Sequence, residues 1–265
     1  MNPFFNQRTL AGLALATVLG FLRSSAQGTT LFQLGETGLA YDIPDNDGSG
    51  IARTLTGSGL PTTTPFSLLI SLTVEGTGVG AYNGDYYAYL LHSTPGGAVT
   101  ATTILLNRVG RDSTQLSGYG DNGFSLTLRD SAPTDVHLYQ LLTGSTPSTQ
   151  ITGTYQPDGR DVDPLTVLDT SPRSSFLSSI ETMDPNGQWT LFVADMESGG
   201  TGRLTSWQIT ALDASAVPET RTILAATLTL SSALALAAWN RRRSQAGRAE
   251  APSTSDLSHE TDSRT

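Results

Sequence analysis

One stretch of the sequence decides the fold: NGQWTLFVADMESGGTGRLTSWQITALD, which spans Asn186–Asp213. Two runs in it alternate between apolar and polar side chains, which is the period of a β-strand with one buried face. Turn residues at 197–202 separate the runs, so the stretch predicts two long strands joined by a tight connection. The predicted buried faces carry Trp189, Leu191 and Val193 in the first strand, and Trp207, Ile209 and Ala211 in the second. We expect the two Trp to nucleate the core of a β-sandwich, because each buries a large apolar area.

The chain upstream of this stretch is also strand-like. Clusters of Gly, Pro and Asp separate the strands, and no long amphipathic helical pattern interrupts them. Composition does not change between 30 and 213, so the sequence predicts one all-β sandwich domain over 30–213. After a short apolar entry at 31–34, the predicted strands are 66–75, 86–92, 103–109, 124–128 and 151–155.

Composition and charge exclude several classes of site and partner. The 265 residues include no Cys, which rules out disulfides and thiolate metal sites. Between 27 and 216 there are 19 acidic residues, 15 of them Asp, against 7 Arg, a net charge of 7 − 19 = −12. A surface this acidic repels the phosphate backbone, so we expect no nucleic-acid partner.

Five Asp residues are candidate calcium ligands, because Ca²⁺ prefers carboxylate oxygens. The segment DNDGSG at 45–50 matches the first positions of a calcium loop, but Thr56 stands where a bidentate Glu is required and no helices flank it, which argues against an EF-hand. The alternative is that these carboxylates accept backbone N–H bonds at turns, which we favour for 42–50. Calcium is the one cofactor left open, and the candidates are Asp42, Asp45, Asp47, Asp85 and Asp195.

The N-terminus has the pattern of an export signal. Arg8 supplies a positive charge, 10–22 is an apolar run of signal-peptide length, and Ser24 and Ala26 are small residues at the cleavage positions. The sequence predicts a signal peptide over 1–26 and export through the cell's export machinery. The alternative is an uncleaved anchor.

The C-terminus has the pattern of a single membrane helix. An apolar run at 223–239 precedes Arg241, Arg242 and Arg243, which should stay on the cytoplasmic side by the positive-inside rule. The run is slightly short for a bilayer and contains Thr and Ser, so the predicted helix is weak. The tail at 244–265 is predicted to be disordered.

These C-terminal features resemble a PEP-CTERM sorting signal, in which a Pro-Glu-Pro motif precedes a weak membrane helix and an Arg cluster. Pro218 and Glu219 match the motif, whereas Thr220 replaces the second Pro and the polar tail is longer than in the family. The resemblance covers 217–243 and implies processing by an exosortase. The alternative is a plain membrane anchor. The predicted location is therefore the inner membrane first, and the periplasm, cell surface or exterior after processing.

The sandwich region resembles the P domain (Homo B domain) that follows the catalytic domain of proprotein convertases and bacterial subtilisin-like proteases. The matching segments are YDIPDNDGSGIARTL (41–55), LLISLTVEG with YNGDYYAYLLHS (68–76 and 82–93), VTATTILLNRVGR (99–111), PDGRDVDP (157–164) and the stretch 186–213. The resemblance implies a jelly-roll β-sandwich in which 186–213 forms the closing hairpin, and 68–76 and 82–93 form paired strands around a Gly-Asp corner.

The sequence predicts no catalysis, although members of that family are usually attached to serine endopeptidases. His92 and His137 are the only histidines in the predicted domain, and neither lies in a His-Gly-Thr context. There is no Gly-Thr-Ser motif and no Gly-x-Ser-x-Gly elbow. We expect an exported, cell-surface-sorted, non-catalytic module with a binding or structural role. The alternatives are an accessory domain that acts in trans with a separate serine protease, and a surface protein that binds extracellular polysaccharide.

Overall fold

The structure is a computed structural model that describes residues 28–78, 80–143 and 149–214. The predicted signal peptide (1–26), sorting helix (217–243) and tail (244–265) lie outside the described residues. Within the described ranges, no helix is long and apolar enough to cross a membrane.

The prediction of an all-β sandwich is confirmed, since the described residues form strands in two packed sheets. The strands are β1 (Thr30–Ile43), β2 (Asp47–Gly57), β3 (Phe66–Thr77), β4 (Tyr86–Ser93), β5 (Thr100–Asn107), β6 (Gly123–Leu128), β7 (Ile151–Tyr155), β8 (Gly187–Asp195) and β9 (Thr201–Asp213). Among the described residues, helical structure is confined to α1 (Tyr139–Thr143), α2 (Ser178–Glu181) and single 3-10 turns at Asn83–Asp85, Pro95–Gly97 and Val136–Leu138.

The two sheets are interleaved along the chain. One has the order β1-β9-β3-β6-β7 and the other has the order β2-β8-β4-β5. Neighbours are antiparallel except for β6 and β7, which are parallel. The connections from β1 to β2, β2 to β3, β3 to β4 and β8 to β9 each pass from one sheet to the other, which is why residues far apart in sequence meet at the ends of the sandwich.

The core lies between the sheets, on the faces that the alternation predicted. The six side chains predicted to be buried in β8 and β9 are buried, with both Trp fully enclosed. The predicted inward row of β3 is buried as well, and consists of Leu68, Ile70, Leu72 and Val74. The rings of Phe32 in β1 and Trp189 in β8 lie 6.4 Å apart across the interface between the sheets. Period-2 alternation therefore identified the core, because successive strand residues point to opposite faces.

The strand pairing expected from the resemblance is wrong at two places. β8 pairs with β2 and β4, whereas β9 pairs with β1 and β3, so 186–213 is a crossover between sheets and not a hairpin. β3 and β4 likewise belong to different sheets. Alternation defines which face of a strand is buried but not its partner, and a short connection can span the ~10 Å between packed sheets.

The first two strands are longer than the sequence indicated. β1 extends over 14 residues, where only a short apolar entry was predicted, and β2 begins inside the predicted turn segment. β1 lies at the edge of its sheet and is largely exposed, so it shows little hydrophobic periodicity. The turn itself is confined to Asp45 and Asn46, where Asn46 has a φ of 52°.

Candidate functional site

An acidic cluster closes one end of the sandwich. We call this group the acidic end; it consists of Asp45, Asp85, Asp195, Glu197 and Arg108. Asp85 ends the 3-10 turn before β4, and Asp195 is the last residue of β8. The two come together because Tyr86 pairs with Asp195 in the β4–β8 ladder, and the Met196 N–H donates to the Asp85 carbonyl at 2.7 Å.

The two central carboxylates are buried and incompletely hydrogen-bonded. Asp85 is 2% exposed and Asp195 is 0% exposed. Oδ1 of Asp195 accepts a bond from the Glu197 N–H at 3.2 Å. Oδ2 of Asp85 and Oδ2 of Asp195 are buried with no hydrogen-bond partner among the described residues. Buried polar atoms nearly always have a partner, so this pair marks the acidic end as unusual.

One guanidinium, that of Arg108, contacts the acidic side chains of the cluster. Arg108 follows β5 with a φ of 51°, and its Nε donates to the Gly84 carbonyl at 2.5 Å. Its Nη2 pairs with Glu197 and lies 3.9 Å from Oδ1 of Asp85. The guanidinium therefore neutralises Glu197 directly and Asp85 only at the limit of an ion pair.

Burial changes the titration of both carboxylates. Loss of hydration raises the pKa of Asp85 to about 7, and the neighbouring charge of Asp195 adds to the rise. Loss of hydration also raises the pKa of Asp195 to about 6, against the opposing hydrogen bond from the Glu197 N–H. The two acids are thus held where full ionisation is unfavourable without an additional positive charge.

A cleft of about 280 Å³ opens next to Asp85. Close contact between two loops shapes its floor, because a Cβ on Gly84 would lie 2.2 Å from the Ser117 carbonyl oxygen. The cleft thus depends on a glycine at that position. Its lining residues are Tyr82, Asp85, Ser117, Gly118, Tyr119, Gly120, Glu197 and Ser198.

The five predicted calcium candidates separate into two groups. Asp85 and Asp195 lie at neighbouring strand ends and interact electrostatically, and Asp45 acts on both. Asp42 pairs with Arg203 at 2.6 Å, and Asp47 accepts bonds from the N–H and hydroxyl of Ser49, as the turn interpretation predicts. Within the described ranges, no group of three or more His, Cys, Asp or Glu side chains is arranged to hold a metal ion.

Both histidines of the sandwich are fully buried, and their ring nitrogens are occupied. His92 faces the carbonyl oxygens of Gln188 and Asp184 at 3.1 and 2.7 Å, and its ring stacks on Trp189 at 3.8 Å. His137 faces Oδ2 of Asp158 at 2.7 Å and the Arg111 carbonyl at 3.1 Å. Neither ring has a nitrogen free to take a proton from a nucleophile.

The segment around Asp158 and Arg160 forms a second buried polar network that sequence analysis did not single out. Oδ1 of Asp158 pairs with Arg160 at 3.1 Å, and Arg160 pairs with Asp135 at 2.9 Å. The same segment covers the free edge of β5, since the N–H groups of Asp158 and Gly159 donate to carbonyls of that strand. The network therefore has a structural explanation, which is protection of a sheet edge.

A larger surface groove lies at the opposite end of the sandwich. It has a volume of about 660 Å³ and is lined by small and polar residues, without any charged side chain. Its walls are 56–59, 93–97 and 186–188. Such a lining provides few groups that could orient a ligand, so the acidic end is the stronger candidate.

Two members of the acidic end, Arg108 and Glu197, were not predicted from the sequence. Each lies in a segment that the resemblance had covered, but nothing in the local pattern linked them to Asp85. The available signal was the scarcity of cations: with 7 Arg among 27–216, a buried Arg beside several Asp is a marked feature.

Comparisons with known proteins add little. No protein-family model matches the chain, and no curated protein matches it. Two similar solved structures are the serine protease of Aeromonas sobria in complex with its chaperone (16% identity, TM-score 0.34, covering 75% of this chain and 29% of that chain) and the serine protease of Aeromonas sobria alone (15% identity, TM-score 0.31, 70% and 27%). This chain spans less than a third of the length of those chains. Likeness at that level supports no inference about this chain, and the resemblance to the P domain stays a prediction.

Proposed function

We propose that this chain is an exported, non-catalytic β-sandwich module of the P-domain type, carried to the cell surface by its C-terminal sorting segment. The support for the module is the sandwich itself, and the support for export and sorting is the sequence at 1–26 and 217–243. The strand orders β1-β9-β3-β6 and β2-β8-β4-β5 agree with the jelly-roll arrangement that the resemblance implies.

The observation that carries the non-catalytic proposal is the state of the two histidines. A Ser-His-Asp site needs an imidazole nitrogen that faces the nucleophile, together with a carboxylate that orients the ring. His137 has the carboxylate, Asp158, but its other nitrogen faces a backbone carbonyl. His92 has a carbonyl at each nitrogen. Both rings therefore have the contacts of structural residues.

Polysaccharide binding is a weaker candidate, because the aromatic side chains on the outer face of the four-stranded sheet pack against one another. Tyr87, Tyr89 and Phe192 lie half-buried on the outer face of the four-stranded sheet. The rings of Tyr89 and Phe192 stack on each other at 4.7 Å with an angle of 17°. Sugar rings stack on free aromatic faces, and here the rings of Tyr89 and Phe192 each cover one face of the other.

An accessory role beside a separate serine protease rests on the resemblance alone.

A chemical labelling experiment tests the proposal. Full-length protein is incubated with a fluorophosphonate probe and with casein, beside an active serine hydrolase as the positive control. We expect no labelled serine and no cleavage, because neither histidine can act as a general base. A serine that is labelled in the native protein, and is no longer labelled in a folded His92→Gln or His137→Gln variant, would show that the proposal is wrong.

A further inference from the structure

We propose that the acidic end binds one calcium ion, held by Oδ2 of Asp85 and Oδ2 of Asp195 and reached through the adjoining cleft. This inference is independent of whether the module is catalytic. It concerns a binding site, and its test measures metal binding and not protease activity.

Two buried carboxylate oxygens at the acidic end are incompletely hydrogen-bonded. Neither Oδ2 has a donor in hydrogen-bond geometry among the described residues, and the Asp195 carboxylate is otherwise stabilised by the N–H groups of Glu197 and Asn46. A buried carboxylate oxygen without a donor is costly, since it has lost its water and gained nothing in exchange. Asp85 also lines the cleft, so its free oxygen lies where an ion can reach it from solvent.

Negative charge exceeds positive charge at the acidic end. Asp45, Asp195 and Glu197 all act electrostatically on Asp85, although no three of these four carboxylates are arranged as a set of metal ligands. The cation in contact with them is Arg108, which pairs with Glu197 and lies 3.9 Å from Asp85. Four negative groups against one positive group leave three charges uncompensated when all are ionised. Asp85 and Asp195 are the buried members of this group, whereas Asp45 is exposed and the Glu197 side chain is partly exposed. A divalent cation at the buried pair offsets their charge where burial strengthens the attraction.

The chemistry of the donors selects calcium among divalent cations. Every available ligand is oxygen, and no His or Cys faces the pair, which disfavours zinc. The side chains supply two carboxylates and not three, so backbone carbonyls and water have to complete the shell. Calcium accepts such mixed shells of 6–8 oxygens in flexible geometry, whereas magnesium requires a near-ideal octahedron. A cleft of about 280 Å³ has room for the waters.

The test measures stability and binding on the full-length protein after treatment with EDTA. Calcium chloride should raise the unfolding temperature in a concentration-dependent way, because a ligand that binds only the native state stabilises it by mass action. Terbium, which replaces calcium, should give luminescence sensitised by tyrosine, since Tyr82 and Tyr119 line the cleft. Magnesium at the same concentration should have little effect.

Matched variants localise the effect. Asp85→Asn and Asp195→Asn should each weaken calcium binding by at least ~10-fold, because each removes one charged ligand. Asp42→Asn and Asp47→Asn are the controls: they remove the same charge from exposed positions near the same end, where the partners are Arg203 and Ser49. These two should retain the full response.

Unfolding of the EDTA-treated variants shows whether a lost calcium response is caused by misfolding. Without metal, Asp85→Asn should unfold no earlier than the native chain, because the substitution removes a buried charge whose cation, Arg108, lies only at the limit of an ion pair. A native protein whose unfolding temperature is unchanged in millimolar calcium would overturn the proposal. So would a calcium response that survives in both Asp85→Asn and Asp195→Asn, or an equal response to magnesium.

Discussion

Replacing Trp189 by Ala tests whether β8 is the centre of the fold. Trp189 is fully buried between the sheets, stacks on His92 with ring centroids 3.8 Å apart, and donates from Nε1 to the Pro185 carbonyl at 2.9 Å. The substitution removes all three interactions and leaves a cavity in the middle of the sandwich.

The expected cost follows from these contacts. Truncation of a buried Trp to Ala costs about 3–5 kcal/mol through lost transfer energy and the cavity. Leaving the Pro185 carbonyl without its donor adds about 1 kcal/mol or more. We therefore expect a loss of about 5 kcal/mol in the free energy of unfolding, a large share of the ~5–15 kcal/mol that a domain possesses. For a domain of this size that corresponds to a fall in Tm of about 10–20 °C.

The assay is urea unfolding of the full-length protein, followed by far-UV circular dichroism, with thermal scans in parallel. Phe192→Ala is the matched control, because Phe192 lies three residues further along the same strand but on its outer, half-buried face. That control should lose about 1–2 kcal/mol. Trp207→Ala, on the other sheet, should behave like Trp189→Ala, since Trp207 is equally buried and donates to Glu36. If Trp189→Ala cost no more than Phe192→Ala, the assignment of the core face of β8 would be refuted.

Two further predictions concern pH and sorting. Burial raises the pKa of Glu181 above its ordinary value, and the hydrogen bond from the Leu68 N–H opposes this rise. The nearby charges have weaker effects: Asp130 raises the pKa and Arg129 lowers it. Stability from this group is therefore present at low pH and lost as pH rises through the folded-state pKa, so Glu181→Gln should gain stability relative to the native chain as pH rises above the ordinary pKa of a Glu; a difference in urea unfolding that does not change with pH would contradict this. In the sorting segment, changing Arg241, Arg242 and Arg243 to Ser should release the chain from the inner membrane, because the apolar run at 223–239 is weak and three Arg resist translocation. Cell fractionation measures the release. Mass spectrometry of the native protein distinguishes exosortase processing from a plain membrane anchor, because an intact C-terminal peptide 263–265 at full abundance would show that no processing occurs.

Sequence reasoning predicted the faces of the strands well and their partners poorly. The inward rows of β3, β8 and β9 are where the alternation put them, because that alternation is a local property of the backbone. The pairing of β8 with β4 is a long-range property, decided by how the sheets interleave, and no local pattern encodes it. The edge strand β1 escaped detection because an exposed edge does not need an apolar face.

The candidate site was predicted in part for the same reason. Asp85 and Asp195 could be named as possible ligands from residue type and position beside turns. Their meeting depends on the β4–β8 ladder, which sequence alone did not provide. Asp42 and Asp47 had the same residue type and similar turn positions, but local partners satisfy them. Residue type therefore identified candidates, and only the fold could separate those that meet from those that do not.

The ends of the two central strands explain why the sandwich carries ionisable groups in its core. In β8 the inward row continues from Trp189 through Leu191 and Val193 to Asp195, so the strand's own period directs a carboxylate inward. The antiparallel neighbour β4 has Tyr86 opposite Asp195 at this end, and His92 opposite Trp189 at the other. Both ring nitrogens of His92 face backbone carbonyl oxygens, and the N–H of the imidazole donates to one of them. Oδ2 of Asp195, in contrast, has no hydrogen-bond partner among the described residues. At one end, His92 contacts only groups of the protein itself, whereas at the other end Asp195 has an oxygen without a donor. This difference between the two ends is why we place the proposed calcium site at the acidic end.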